Sequence, residues 1–271
     1  MRVMDHNPHG GRLPTGAGIL PREGGASIAY RRTPGKSPGV VFFHGYRSDM
    51  NGTKALALEA YCRGKGYAFL RYDAFGHGAS PGDLAQETVS RWAEDAVAVL
   101  DSLTEGPQVL VGSSLGGWIA LLAALRRQER VAGIVGVAAA PDFTEDLMWA
   151  EFAPEQRREM LETGWVTLPN GYDPASPWRI ARALIEDGRR NLLLRDAINL
   201  RCPVRLLQGQ RDADVPWRTA LRIAECLAAE DVEVLLVKDG DHRLSRPQDM
   251  ERLYGVVGGL LDGITARTAR R

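Results

Sequence analysis

The chain has 271 residues, 44% of them hydrophobic, with 34 basic and 34 acidic side chains and a formal net charge of zero. That length fits one α/β domain with room for an insertion and is long enough to bury a large core. Balanced charge removes the electrostatic footprint of a nucleic-acid-binding surface, and no apolar run approaches the length of a membrane span.

Cys62, Cys202 and Cys226 are scattered, odd in number and without a C-x-x-C spacing, which suggests free thiols in a reducing compartment. The N-terminus has no continuous apolar stretch of the secretory kind, so a cytoplasmic protein is expected. Residues 1–25, rich in Gly, Pro and polar side chains, read as a loose arm. A short strand follows near Ala26–Arg32. Val40-Val41-Phe42-Phe43 is wholly apolar, as expected of a strand buried on both faces of a parallel sheet. It ends in the polar turn His44-Gly45-Tyr46-Arg47. Lys54–Lys65 has helical spacing, with Leu56, Ala60 and Tyr61 on one side and glycines at its close. Asn51-Gly52-Thr53 matches a glycosylation sequon but reads as the loop that opens this helix.

Tyr67–Tyr72 is the next strand, running into the loop Asp73–Ser80. Thr88–Leu103 is a helix with Trp92, Ala96, Val99 and Leu103 on one face. Val109–Val111 is a strand, Leu115–Arg126 a helix and Val131–Ala139 a strand. This alternation implies βαβ crossovers and a parallel sheet. The rhythm breaks at Pro141. Residues 141–200 read as mostly helical, with interruptions at Gly164, Pro169-Asn170-Gly171 and Pro174–Pro177, and form a candidate cap inserted between core segments 26–140 and 201–271. The alternation then resumes with a strand over Pro203–Gln208, a helix over Thr219–Ala229, a strand over Val232–Val237 and a closing helix over Pro247–Leu261. The basic end, Arg267–Arg271, reads as a solvated tail.

The chemistry centres on Gly112-Ser113-Ser114-Leu115-Gly116, where a β-type run turns directly into a helix-forming run. A G-x-S-x-G pattern in that context is a nucleophile elbow. The turn is too tight for side chains at the two glycine positions, and its strain lifts the Ser114 hydroxyl clear of the sheet. A serine hydroxyl needs an adjacent base. Of the five histidines only His242 follows Ser114, and it sits just beyond a strand end, where such sheets build sites. The acid that orients the imidazole should follow another strand end. Asp212 is the first candidate, Asp214 the second, with a helix cap as its alternative role, and Asp142 a more remote third. Asp239 and Asp241 stand too close to the histidine in sequence and read as loop residues.

A tetrahedral intermediate needs backbone N–H donors. Leu115, at a helix N-terminus, is one candidate. The other belongs in the loop after Val40–Phe43, which points to Tyr46, with Arg47 as the alternative and His44 as a brace. Met148, Trp149 and Phe152 are candidate acyl contacts from the cap. No zinc-type Cys/His cluster, H-E-x-x-H, dinucleotide fingerprint or Walker A pattern occurs, so no cofactor and no metal is expected.

His44-Gly45, Asp73-x-x-Gly76-x-Gly78-x-Ser80, Gly112-x-Ser114-x-Gly116, Gly209-x-x-Asp212-x-x-Val215-Pro216 and Asp241-His242 stand in this order along the chain. From about residue 40 to its end, the chain therefore resembles the α/β-hydrolase superfamily. Met50-Asn51-Gly52-Thr53-Lys54-Ala55-Leu56, Asp214-Val215-Pro216-Trp217 and Asp241-His242-Arg243 are similar to an abhydrolase-domain branch that cleaves palmitoyl thioesters and acyl-glucuronide esters. The resemblance implies a mostly parallel eight-stranded sheet with helices on both faces, a Ser114/Asp212/His242 triad and an acyl-enzyme. It implies a small-molecule acyl ester or thioester as substrate, with an S-acylated protein as another candidate. Carbon–carbon bond hydrolysis, perhydrolysis, peptide cleavage and plain small-molecule binding remain open on the same fold.

Overall fold

The computed structural model describes residues 16–169, 175 and 177–269. Strands β1 (Gly16–Pro21), β2 (Ser27–Thr33) and β3 (Lys36–Phe43) are followed by helix α1 (Thr53–Gly64), β4 (Tyr67–Tyr72) and α2 (Val89–Leu103). Next come β5 (Gln108–Ser113), α3 (Leu115–Arg126) and β6 (Val131–Val137). A π-helical turn (Thr144–Trp149) leads into α4 (Pro154–Thr163), two short strands, β7 (Trp165–Leu168) and β8 (Trp178–Ala181), and α5 (Arg182–Arg189). The chain closes with β9 (Val204–Gly209), α6 (Arg218–Cys226), β10 (Val232–Val237) and α7 (Pro247–Thr268).

The main sheet has eight strands in the order β1-β2-β4-β3-β5-β6-β9-β10. β1 and β2 are antiparallel additions at one edge, and the strands from β4 to β10 pair in parallel. This is the α/β-hydrolase architecture that the sequence resemblance implies. The order reverses at β3: β4 lies on one side of it and β5 on the other. Loops leaving the carboxyl ends of β3 and β5 therefore diverge and open a crevice, the place where open parallel sheets bind ligands.

Alternation along the strands divides the core into two. Val41, Phe43 and Leu110 join Trp92 and Trp118 beneath α2 and α3, whereas Val40, Phe42, Val109 and Val111 join Leu58, Leu253 and Val257 beneath α1 and α7. Both faces are covered, so the strand sequences lack polar alternation. On α2, Trp92, Ala96, Val99 and Leu103 are all buried, as their spacing requires.

The structure departs from the sequence reading in four places. Gly16–Pro21, expected within a loose arm, pairs with β2 as an edge strand; the rest of that arm lies outside the described residues. On α1 the buried residues are Ala55, Leu58 and Cys62, and Leu56 is 45% exposed. Positions i, i+3 and i+7 share a helix face, and the sheet selected the register beginning at Ala55. Within 141–200, Trp165–Leu168 and Trp178–Ala181 pair as antiparallel strands instead of helix. Val166 and Ile180 are buried while Thr167 and Arg179 are exposed, the period-two pattern of a half-buried strand. Gly164, at φ 83°, ends α4 just before this pair. The expected interruption at 170–174 lies outside the described residues. Finally, α7 runs on to Thr268, and Arg267 pairs with Asp231 at 3.1 Å instead of starting a free tail.

These two faces of α1 separate in a stability measurement. Leu58→Ala should cost about 2–5 kcal/mol, and Leu56→Ala should stay within about 0.5 kcal/mol; urea denaturation of the two variants reads the difference.

Candidate active site

Ser114 sits between β5 and α3 with φ 54° and ψ −120°, a backbone conformation that non-glycine residues rarely adopt. Its surroundings hold it there. Ser114 N–H donates to the Val137 carbonyl at 2.9 Å, and its own carbonyl accepts from the amides of Gly117 (2.9 Å) and Ala140 (3.1 Å). The glycines answer a packing demand. A Cβ on Gly112 would strike the Gly116 carbonyl, and one on Gly116 would strike the carbonyls of Phe43 and His44. The first turn of α3 thus presses directly on the end of β3, and no side chain fits between them.

Two loops bring the partners to Ser114 Oγ. His242, past the end of β10, places Nε2 3.1 Å from Ser114 Oγ and Nδ1 2.9 Å from Asp212 Oδ2. Asp212 follows β9, and its carboxyl side chain is fully buried. Its Oδ1 accepts the amides of Asp214 (2.9 Å) and Val215 (2.8 Å), and its Oδ2 accepts Gln208 Nε2 at 2.9 Å. Burial pushes the Asp212 carboxyl up, but the hydrogen bond and charge of His242, with the two loop amides, outweigh it and hold the group below its ordinary value. An ionised carboxylate only accepts hydrogen bonds, so the imidazole proton sits on Nδ1 and the Nε2 lone pair faces the serine. A hydroxyl so placed can pass its proton to the imidazole as the oxygen attacks an electrophile.

Among the other acids, Asp214 has a carboxylate oxygen within 4.8 Å of the Asp212 carboxylate and the His242 ring, and Asp142, Asp239 and Asp241 stand elsewhere. Asp214 is exposed and meets Asp212 through its backbone amide. The helix it was expected to cap, α6, has Trp217 at its N-cap and no side-chain cap bond. Asp142 is buried, accepting the amides of Leu193 (2.7 Å) and Leu194 (2.9 Å). Asp241 accepts the Leu244 amide at 2.9 Å, and Asp239 pairs with Arg246. Asp239 and Asp241 hold local chain, and Asp142 ties the start of the 141–200 segment to its end.

The loop after β3 lies against the elbow, and a Cβ on Gly45 would come within 3.4 Å of Ser114 Cβ. Two buried histidines shape it. His44 Nε2 accepts the Ala74 amide at 3.2 Å while Nδ1 meets the Gly45 carbonyl at 2.8 Å. His77 Nε2 accepts the Arg47 amide at 3.2 Å while Nδ1 meets the Phe75 carbonyl at 3.0 Å. An amide can only donate, so both rings are neutral with the proton on Nδ1. Burial lowers the pKa of each, and His44 and Arg47 help bring His77 down to about 3. Because His77 occupies the Arg47 amide, that amide is not available to a ligand, which removes the alternative weighed against Tyr46. Leu115 opens α3, where the first amides have no intrahelical acceptor.

Asp73, Gly78 and Ser80 explain the motif that contains them. Asp73 Oδ1 accepts the Met50 amide (2.6 Å) and Oδ2 the Ala79 amide (2.8 Å), and Ser80 Oγ bridges the Asp73 carbonyl and the Ala29 amide. The motif ties the β3 and β4 loops together.

A cavity of about 820 Å³ opens above Ser114 and His242. Phe143, Leu147, Met148, Phe152, Leu168 and Trp178 make its apolar wall. Trp149, the third expected contact, is absent from that lining. Its ring lies between the guanidiniums of Arg157 (5.4 Å) and Arg189 (4.7 Å), packed edge-on to Phe152. The π-helical turn rotates neighbouring side chains to different faces, which sequence spacing does not reveal. The opposite wall is polar and includes Arg47, Thr53, Lys54 and Arg243. Arg47 Nη1 pairs with Glu87 Oε1 at 3.1 Å. Gln208, Glu87, His77 and Lys54 have no role assigned from the sequence, although His77 lies inside the Asp73–Ser80 motif and Lys54 inside Met50–Leu56.

Comparison with known proteins places this chain among relatives. The model of the alpha/beta hydrolase family matches residues 40–253. Palmitoyl-protein thioesterase ABHD10, mitochondrial, of Mus musculus is 41% identical over 239 residues, which is 88% of this chain and 80% of that protein. The Homo sapiens protein of the same name is 37% identical over 254 residues, 94% of this chain and 83% of that one. The solved structure of alpha/beta hydrolase domain-containing protein 10 from mouse superposes with a TM-score of 0.86 at 40% identity, covering 92% of this chain and 100% of that one. These relatives are named as mitochondrial proteins, which overturns the expectation of a cytoplasmic one. Among the described residues no helix is long and apolar enough to cross a membrane.

Glu87 gives the stability of this region a pH dependence with a definite sign. Burial pushes its carboxyl from 4.5 up to about 7, against the pull of Arg47. The unfolded chain releases this proton near pH 4.5, the folded protein only near pH 7. The group's stabilising contribution is therefore complete below about 4.5 and is lost as pH rises to about 7. Glu87→Gln should flatten that segment of the stability curve, measured as denaturation midpoints across the same interval.

Proposed function

We propose that Ser114, His242 and Asp212 are the nucleophile, general base and orienting acid with which this chain, a member of the alpha/beta hydrolase family, hydrolyses carboxylic ester or thioester bonds of acyl substrates. The observation that carries the assignment is the unbroken hydrogen-bonded run from Ser114 Oγ through His242 to Asp212, with links of 3.1 and 2.9 Å.

Ser114 Oγ attacks the acyl carbonyl carbon while its proton moves to His242 Nε2. Asp212 keeps the imidazole in its reactive tautomer and stabilises the imidazolium. The oxyanion forms beside the amides of Leu115 and Tyr46, where the N-terminus of α3 also favours negative charge. One such donor is worth about 2.7–4 kcal/mol of barrier. The intermediate collapses, the C–O or C–S bond breaks, and the departing alcohol or thiol takes the proton from His242. Water, activated by the same histidine, then attacks the acyl-enzyme and releases the acid. No step needs a cofactor.

Residues 141–200 serve as a cap that supplies the acyl pocket, with Met148 and Phe152 among its contacts. Each methylene buried there is worth about 0.8 kcal/mol, so a long acyl chain gains most. The mouse and human relatives are named palmitoyl-protein thioesterases, which supports a long-chain thioester, an S-acylated protein included, as substrate of this chain.

A fluorophosphonate probe should label the purified protein, and Ser114→Ala should abolish the labelling. A folded wild-type protein that takes no label would overturn the assignment. Asp212→Asn should lower kcat by about 10⁴-fold, the loss that a wrong imidazole tautomer brings, whereas Asp214→Asn keeps most of the activity. The reverse pattern in steady-state hydrolysis of a p-nitrophenyl ester would transfer the acid role to Asp214.

A further inference from the structure

We propose that Lys54 is a positioning residue for His242: it ties the helix that follows the Tyr46 loop to the loop that carries the histidine. The proposal rests on the reading of His242 as the general base. Lys54 stands in the first turn of α1, and its Nζ donates to the carbonyl of Arg243, the residue after His242, at 2.6 Å, with Ser245 Oγ at 3.5 Å. The two ends of this link are 189 residues apart in sequence.

Both ends need what the link supplies. Immediately after His242 the chain bends sharply: Leu244 has φ 43°, its side chain is fully buried, and its amide is held by Asp241. The Arg243 carbonyl at this bend accepts a local bond from Ser245 Oγ at 2.9 Å and the long-range one from Lys54 Nζ. The His242 ring itself meets only Asp212 and Ser114 in the hydrogen bonds that define the site.

The other end is rigid. The residues just before α1 are clamped by the Met50 amide on Asp73 (2.6 Å) and by Arg71 Nη1 on the Met50 carbonyl and Asn51 Oδ1, both at 2.8 Å. Arg71 is in turn fixed by Glu59 at 2.8 Å. Lys54 therefore extends a braced helix start to the histidine loop. One ammonium couples the loop that presents the Tyr46 amide to the loop that presents the imidazole. A misplacement of about 1 Å in such a site can cost about 100-fold in rate.

Lys54 also lines the catalytic cavity, so its environment sets its charge. Burial pushes its ammonium down to about 8. Asp241 from the histidine loop and Asp249 from α7 raise it, and the Arg243 guanidinium lowers it. Above that pH the amine keeps its position but loses the charge assistance of its bond to the Arg243 carbonyl.

The test is kinetics of full-length wild type, Lys54→Met and Lys54→Arg on a neutral p-nitrophenyl ester across pH. Lys54→Met should lower kcat by about 10- to 100-fold with KM nearly unchanged. Wild-type kcat should fall as pH rises through about 8, and Lys54→Arg, which keeps its charge, should lack that fall while retaining most activity. Wild-type kcat in Lys54→Met overturns the proposal, as does a raised KM with unchanged kcat, which would mean that the cation holds substrate. Should Lys54→Met fail to fold, the alkaline arm decides: its persistence in Lys54→Arg overturns the proposal. Failure of the underlying reading looks different, as full activity in His242→Ala.

Discussion

Contact between the start of α3 and the end of β3 is the constraint from which the rest of the site is built. The Gly116 backbone rests on the Phe43 and His44 carbonyls with no room for a Cβ. That closeness forces β5 to turn into α3 within one residue, and Ser114 absorbs the turn at φ 54°. A conformation of this kind costs of order 1–3 kcal/mol and persists only when its surroundings over-determine it. Here the Val137 carbonyl and the amides of Gly117 and Ala140 do so. The same contact brings the Gly45–Tyr46 loop against the serine, so the proposed nucleophile and the proposed oxyanion donors share one packing event.

Around that point the loops are held by polar groups whose charge states suit the task. His44 and His77 are kept neutral by burial, so their Nε2 atoms can accept backbone amides on a loop that has no strand to pair with. Asp73 accepts two further amides. Buried polar groups of this kind are favourable only when paired, so these bonds hold the loop backbone in place. Asp212 follows the same logic on the other side of the crevice: four donors surround its carboxylate, and the group stays ionised in spite of burial.

The cavity's two walls differ in chemistry because they come from different parts of the chain. Phe143, Leu147, Met148, Phe152, Leu168 and Trp178 supply the apolar wall, and the loops after β3 and β10 with the start of α1 supply the polar one. With Ser114 between them, an acyl chain and its leaving group would meet unlike surroundings. This asymmetry suits the ester and thioester hydrolysis to which family membership points.

Local rules made much of this legible in the sequence. Unbroken apolar runs marked the buried strands, and G-x-S-x-G between a strand and a helix marked the turn at Ser114. Chain order singled out His242, and the residues after β9 narrowed the acid to Asp212 or Asp214. These features depend on neighbours a few residues apart, which the sequence displays. Distant contacts decided the remainder. Which face of α1 turned inward was set by the sheet beneath it, so Leu56 went outside and Leu58 inside. Trp149 left the pocket because a π-helical turn and two arginines drew it away. Asp212 rather than Asp214 faces the imidazole because the turn after β9 spends two amides on it, and the Arg47 amide is occupied only because His77, from another loop, reaches it. Lys54 lies inside the Met50–Leu56 motif, but its proposed role shows only where α1 and the His242 loop meet across 189 residues. Hydrogen bonds and packing between segments far apart in sequence have no local signature, so only the folded chain could assign them.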